Sequence, residues 1–356
     1  MGIFVELCNM KKIIGILLFL LICYEAYNVL VNTTHFSTEK ESFVFDKEKM
    51  NIDALADSLY AKKIIREKIS FTLLATVLKV DQKAKSGKFL VKRATSLLTI
   101  IRMLRNNQQA TVKFILNKVR TRGELAKLLA TTFSADSAQY AGFLNSNDSL
   151  KAFDTDTTQV LTLFIPNTYE FYWSTPITKL MQKMKDQQNA FWNAHNRIEK
   201  AKKIGLSQNQ VYTLASIVEE ECNYDTDKTL IASVYLNRLK LGMPLQACPT
   251  IKFAMQDFTI TRIYEKYLTH PSPYNTYNKK GLPPGPICTP SPVTIDLVLN
   301  APNTNYLYFV AKSDFSGYHH FSSTYDEHNK YADEYQKKLD EYQKKKQKKI
   351  NNIDAF

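Results

Sequence analysis

The chain has 356 residues, 44% of them hydrophobic and 23% charged, with 20 Tyr and 20 Phe. That content excludes a disordered chain, and ten Gly and 12 Pro exclude a collagen-like or low-complexity one. The net charge of +13 suits a polyanion, but no zinc-finger, RNP-like or basic-zipper pattern accompanies it, so nucleic acid is not an expected partner.

Lys11 and Lys12 precede an apolar run from Ile13 to Val31, long enough for one membrane-spanning helix of about 20 residues. The lysines assign residues 1–12 to the cytoplasm and the bulk of the chain to the far side. The run is read as an uncleaved single-pass anchor in the cytoplasmic (inner) membrane, with Glu25 marking its outer end. A cleaved signal peptide is the rival reading, but Tyr24-Glu25-Ala26-Tyr27 offers only one small residue at the cut. Met10, just before the two lysines, reads as a natural start.

Residues 32–40 are a polar spacer. From Phe43 to Ile65 the chain begins strand-like and turns helical, with Met50, Ile52, Leu55, Leu59 and Ile64 on one face and a break near Lys62. Gly87 to Gln108 repeats the pattern, with a short strand at Phe89–Val91 and a helix N-capped by Ser96. These strand-helix units lie within residues 40–110; the alternative is generic α+β packing. Val112 to Leu116 reads as a strand and Arg120 to Phe133 as an amphipathic helix. Leu161 to Pro176 reads as an apolar strand ending at Pro166, then an aromatic patch of Tyr169, Phe171, Tyr172 and Trp173, either core or a sugar-stacking surface. Ile177 to Lys203 reads as one long polar helix.

Ser207 starts a helix whose apolar face is Val211, Leu214, Ala215 and Val218. Glu219 stands at the margin of that face, while Glu221 points elsewhere. A carboxyl partly withdrawn from water suits proton donation near neutral pH. The bland alternative is a solvated surface Glu. A second helix is expected from Thr229 to Gly242, then a turn and a strand-like piece to Met255. Pro273 to Pro292 is a long irregular loop rich in Tyr, Asn and Pro, a kind that is usually functional. Tyr306 to Lys312 reads as a buried strand, and Tyr331 to Ile350 as a Lys-rich helical tail within residues 331–356. Among Cys222, Cys248 and Cys288 one disulfide is possible without a fixed pairing. No metal-ligand spacing occurs, so neither metal nor cofactor is expected.

The ordered set ASIVExE (Ala215 to Glu221), NRLxxGMxLQ (Asn237 to Gln246), Pro249-Thr250, YNTY (Tyr274 to Tyr277), GLPPGPI (Gly281 to Ile287), YLYFVA (Tyr306 to Ala311), GxHxF (Gly317 to Phe321) and EHN (Glu327 to Asn329) resembles the MltG, or YceG-like, endolytic murein transglycosylase family. VRTRGELA (Val119 to Ala126) and LFIPNTYEFYW (Leu163 to Trp173) fit the same pattern. The resemblance covers roughly residues 40 to 330. It implies an α+β fold with an N-terminal membrane anchor, a LysM-like strand-helix subdomain at 40–110 and a mixed α+β catalytic domain at 111–330. It also implies a lytic transglycosylase that cuts the MurNAc-GlcNAc bond inside nascent peptidoglycan strands, leaves 1,6-anhydroMurNAc ends and terminates strand elongation. Cell-wall synthases are partners by the same analogy. The family's catalytic acid maps onto Glu219. One carboxyl protonates the leaving glycosidic oxygen, then takes the proton of the attacking muramyl 6-hydroxyl.

Glu221 is read either as a like-charge neighbour of that acid or as a substrate-binding group. Gln246, Thr250, Asn275 and Tyr277 are candidate sugar-binding groups, each weighed against capping of its own loop. His319 maps onto the family His and orients loop or substrate, or is a buried structural His. Rival functions are a non-catalytic peptidoglycan-binding scaffold and a muramidase, which needs a second carboxylate such as Glu221 or Asp227. Pyridoxal-phosphate lyase chemistry has neither a Schiff-base Lys nor a phosphate cradle here. The chain departs from the family at Cys248, usually Asp, at Phe253, usually Tyr, and at Thr289, usually Asn. Restoring the acid with Cys248→Asp is expected to raise turnover; an unchanged or lower rate would show that the departure is neutral.

Overall fold

The computed structural model describes residues 13–24, 26–27, 34–260 and 262–353. The chain forms two compact units, the first holding Met1–Phe114, Thr132–Ala135 and Glu170–Thr175, the second the remainder. Helix α1 (residues 13–24) carries apolar side chains from Ile13 to Ile22 that are more than half exposed. Among the described residues no helix is long and apolar enough to cross a membrane. Residues 1–12, 25 and 28–33 lie outside the described residues, so the start at Met10 and residues 25 and 28–31 of the expected span are not described.

The first unit runs β1 (Lys40–Phe45), α2 (Ile52–Ala61), α3 (Lys68–Val77), α4 (Val80–Lys83), β2 (Gly87–Lys92) and α5 (Leu97–Arg105). The sequence suggested two separate strand-helix units. Instead β1 and β2 pair antiparallel, with Phe43 opposite Phe89 and their rings stacked at 5.4 Å. Alternation along each strand puts Phe43, Phe45, Phe89 and Val91 on one buried face, and one core serves both strands. The expected break near Lys62 is present: Lys62 caps α2 and Lys63 is left-handed at φ 57°. Ser96 caps α5 as expected, accepting from the Thr99 amide at 3.3 Å.

Strand β3 (Thr111–Leu116) pairs with β4 (Asn167–Tyr172). The expected strand before Pro166 is a 3-10 turn, Val160–Leu163, and the strand begins only after the proline. A proline has no N–H to give to a ladder, which favours that boundary. Alternation then buries Tyr169 and Phe171 and exposes Tyr172, with Trp173 part-buried, so half of the aromatic patch is core. Phe171 packs edge-on against Phe133 at 5.3 Å.

Helices α6 (Arg122–Thr132), α7 (Ser137–Leu144), α8 (Asn147–Lys151), α9 (Ile177–Asn193) and α10 (Arg197–Lys203) follow. The single helix expected over Ile177–Lys203 is broken, because His195 and Asn196 are left-handed at φ 57° and 58°. Asn tolerates that conformation better than most residues. The second unit then centres on α11 (Gln208–Glu221), α12 (Asp225–Lys240), α13 (Cys248–Met255), α14 (Glu265–Leu268) and α15 (Pro292–Leu299). It finishes with β5 (Tyr308–Ala311), its antiparallel partner β6 (His319–Ser322) and α16 (Tyr325–Ile353). The strand-like piece expected before Met255 is helical. Pro249 stands in the first turn of α13, where a missing N–H costs nothing. The strand expected over Tyr306–Lys312 is shorter and only part-buried.

The fold departs most from a surface amphipathic helix at α11. All eight residues from Val211 to Val218 are buried, Thr213 and Ser216 among them. A helix apolar nearly all round belongs in the middle of a core. α12, α13 and α15 pack around it. Buried Ser216 is satisfied: its Oγ donates to the Thr213 carbonyl at 2.7 Å and accepts from the Ile287 amide at 3.0 Å.

Candidate active site

Helix α11 ends in Glu219, Glu220 and Glu221, and Cys222 beyond it is extended. Negative charge at a helix C-terminus opposes the macrodipole, and adjacent carboxylates repel. Each therefore needs its own compensation. Successive residues turn by about 100°, so the side chains leave the helix in different directions.

Glu219 faces α12 and α15. Its Oε2 accepts from Lys228 Nζ at 3.1 Å, from Ser291 Oγ at 3.3 Å and from Thr294 Oγ1. Lys228 Nζ also donates to Thr294 Oγ1 at 3.1 Å. The Lys228 and Glu219 side chains are only 8% and 15% exposed, so this is a largely desolvated ion pair rather than a surface one. Ser291 has a second task as N-cap of α15, accepting from the Thr294 amide at 3.1 Å. All these bonds fall on one oxygen. Among the described residues no protein group bonds Oε1, which stays available to a reacting atom.

Glu220 turns to Lys118, 2.9 Å from its Oε1, and to Arg120, 2.9 Å from its Oε2. Burial pushes its pKa up, but hydrogen bonds from Arg120 and Lys118 outweigh that and hold it below the usual carboxylate range. Glu221 takes a third course. Burial drives its pKa up to about 7, against the pull of a hydrogen bond from the Tyr235 hydroxyl and of the Lys252 charge.

That shift has a signed consequence. The folded protein holds the Glu221 proton more tightly than the unfolded chain, whose value is near 4.5. The associated stability is complete below about pH 4.5 and is lost as pH rises through about 7. Glu221→Gln is expected to flatten that fall, worth on the order of 2–3 kcal/mol. Urea unfolding at pH 5 and pH 8 reads it, and an equally steep loss in the variant would assign the pH dependence to another group.

His319 lies at the start of β6, where its amide and its Nδ1 meet Asp227 Oδ2 at 2.7 and 2.9 Å. It therefore fixes the first turn of α12, one residue from Lys228. Asp227, weighed from sequence as a water-activating second carboxylate, has this oxygen engaged by His319.

The other sequence candidates gather around the loop before α13. Thr250 is fully buried, donating to the Ala247 carbonyl at 2.6 Å and lying 2.9 Å from Thr276 Oγ1. Asn275 is fully buried too. Its amide donates to the Leu268 and His270 carbonyls, both at 2.9 Å, and its oxygen accepts from the Tyr277 amide. Their polar groups are spent on the loop's own backbone, so they shape it. Gln246 is left-handed at φ 54° and accepts from Arg238 at 3.1 Å. The Tyr277 hydroxyl lies 3.2 Å from Cys248 Sγ, and burial pushes both groups' pKa values up. Cys222, Cys248 and Cys288 are all free thiols. Thr289 is buried and bonded to the Val119 amide and Asn117 carbonyl, a wholly structural place.

The Gly281–Ile287 loop is docked through its C-terminal half. Ile287 bonds Ser216 of α11, and a Cβ on Gly285 would lie 2.0 Å from the Thr158 carbonyl oxygen. Only glycine fits there. Nearby, a cleft of about 430 Å³ is lined by Arg120, Arg122, Thr158, Phe253, Tyr274 and Pro286. Among the described residues no cluster of three or more His, Cys, Asp or Glu could hold a metal ion.

The structure thus brings Glu219 together with Lys228, Ser291 and Thr294, none of which the sequence had singled out. The Ser-Pro-Val-Thr run at 291–294 carried a readable capping signal, but nothing in it named the carboxylate it would meet.

The YceG-like family profile matches residues 47–334. A protein of Bacillus subtilis named endolytic murein transglycosylase is 39% identical over 166 residues, covering 46% of this chain and 45% of that one. A protein of the same name from Streptococcus pneumoniae is 33% identical over 193 residues, covering 52% of this chain and 34% of that one. The matched part of the chain thus spans less than half the length of these curated relatives. A crystal structure of a YceG-like protein from Listeria monocytogenes superposes with a TM-score of 0.52 at 25% identity, over 83% of this chain and 99% of that one.

Proposed function

The chain belongs to the YceG-like family, and we propose that it is an endolytic murein transglycosylase whose acid and base is Glu219. The observation that carries the reading is the asymmetric clamp on that carboxyl. Oε2 is tied to α12 and α15 through Lys228, Ser291 and Thr294, while Oε1 is left free. A carboxyl so held presents Oε1 to a glycosidic oxygen without rotating and, in its protonated form, delivers the proton from that oxygen. The resulting carboxylate then takes the proton of the muramyl 6-hydroxyl as that oxygen attacks C1. The C1–O4 bond breaks, the C1–O6 bond forms, and no water is consumed. Lys228 supports the second half of this cycle, when the group is negative.

A single-carboxylate reaction also accounts for its neighbours. Asp227 is bound to His319, and Glu221 accepts from the Tyr235 hydroxyl. Neither is poised to activate water as a muramidase would need.

The finer parts of the proposal follow from the family and the N-terminus. Glycan strands of nascent peptidoglycan are the substrate, and cutting them ends strand elongation. The apolar run that includes α1 anchors the chain in the cytoplasmic membrane with the bulk outside, near cell-wall synthases. Residues 40–110 are the LysM-like element, a reading supported by two antiparallel strands, β1 against α2 and β2 against α5, that share one core.

The test is product identity. Purified peptidoglycan treated with the full chain in detergent would be analysed by mass spectrometry. Anhydro-muramyl ends, lighter than reducing ends by one water, are expected. Reducing ends would make the enzyme a muramidase, and binding without new ends would make it a scaffold.

A further inference from the structure

The first unit carries an apolar stripe that its own core does not use. On α3, Ile69, Leu73 and Val77 are 83%, 66% and 66% exposed. They are spaced four apart and form one line about 12 Å long. The opposite side of the same helix is spent on the core, with Ser70, Phe71 and Ala75 buried. Nothing within the unit therefore explains three adjacent β-branched or leucyl side chains in water.

Two observations identify what covers them. The first is position. The Tyr24 hydroxyl, at the end of α1, donates to Glu67 Oε1 at 3.0 Å, and Glu67 is the residue immediately before α3. The apolar N-terminal helix thus ends beside the start of the stripe. The second is charge. Exposed Lys62, Lys63, Arg66 and Lys68 precede the stripe and exposed Lys79 follows it. Against these stand Glu67, engaged by Tyr24, and Asp57, paired with Lys68 at 2.5 Å. An apolar helical face edged by cations is the pattern of a helix lying in a membrane interface, its apolar side sunk about 5–10 Å below the headgroups. Exposed Asp81 stands near Lys79, yet the cations on this border, Lys62, Lys63, Arg66, Lys68 and Lys79, outnumber the acids Asp57, Glu67 and Asp81, an excess that a second copy of the same basic face would repel.

We propose that α3 docks on the outer surface of the membrane that α1 enters, with Ile69, Leu73 and Val77 in the acyl boundary and the flanking lysines and Arg66 on anionic phospholipid headgroups. This rests on the anchor reading of the N-terminus. It adds a second, peripheral attachment that holds the first unit down on the bilayer.

The test uses the full chain reconstituted in nanodiscs containing phosphatidylglycerol with brominated acyl chains. Tryptophan is introduced at Leu73→Trp, with Val77→Trp as a second stripe position and Lys113→Trp as an exposed control on β3. The signal of the parent chain is subtracted. The added fluorescence at 73 and 77 is expected to be blue-shifted and quenched by about half, and that at 113 to be unaffected. Replacing phosphatidylglycerol by zwitterionic lipid should reduce the quenching. Incorporation without quenching at 73 and 77 overturns docking and leaves the anchor standing. Failure to incorporate at all overturns the anchor, and docking with it. Undiminished quenching in zwitterionic discs overturns the role of the basic border. A detergent-stable dimer with position 73 shielded overturns the lipid in favour of a second copy.

Discussion

Glu219→Gln should leave a folded protein whose release of anhydro-muramyl ends falls by roughly 10³-fold. The amide keeps the shape and can still accept from Ser291 and Thr294, so the positions of α12 and α15 are preserved. It cannot give up a proton to a leaving oxygen or take one from a hydroxyl, and both half-reactions lose their agent together. The substitution also strands the Lys228 ammonium, 8% exposed, without its counter-charge. A cost of about 1–3 kcal/mol in stability is expected from that. Circular dichroism and a binding assay on insoluble peptidoglycan must therefore accompany the rate. A folded, binding variant that still cuts at the parental rate would remove Glu219 from the chemistry.

Lys228→Met is the second large effect and separates position from charge. It leaves the Glu219 carboxylate in a site that is 15% exposed, held by two hydroxyls alone. Breaking a buried pair from one side costs about 3 kcal/mol. The double variant Glu219→Gln, Lys228→Met removes both charges and should recover much of that loss, the sign of a real coupling. In turnover, Lys228→Met should lower kcat while glycan binding persists, and Lys228→Arg should restore a good part of it. A kcat unchanged in Lys228→Met, or additive stabilities in the double variant, would reduce the pair to a bystander.

Glu219 stood out in the sequence at the margin of a helix face, but the resemblance, not the margin, made it the candidate acid. Its surroundings were not. Lys228 is nine residues on, across the extended stretch from Cys222 that separates two helices, and no helical spacing predicts the meeting. Ser291 and Thr294 come from a distant loop whose capping signal fixed where a helix begins but not what it would touch. Thr250 and Asn275 show the converse. Their residue types suit sugar binding, yet a buried loop must satisfy its own carbonyls and amides first, and these side chains do so. In the fold, strand-like stretches were legible from Phe43 and over Phe89–Val91, but nothing in them said that they pair. Around Cys248 to Met255 a short apolar run was ambiguous between strand and helix. Pro249, in the first turn of α13, was the deciding mark.

The fan of three carboxylates at the end of α11 makes this protein unusually intolerant of a slipped register. Removing a single residue from the helix upstream of Glu219 would rotate everything after it by about 100°. The side chain delivered to Lys228 and Thr294 would then be another glutamate, so composition and charge at the helix end would look unchanged. Its neighbours would be the wrong ones all the same. The guanidinium of Arg120 would meet Glu221 in place of Glu220, and the hydroxyl of Tyr235 would find Cys222 where its carboxylate acceptor had been. Substitutions along α11 can be absorbed one site at a time, whereas a change in its length cannot, and the interval from Ser207 to Glu219 is set by the partners that each acid has to find.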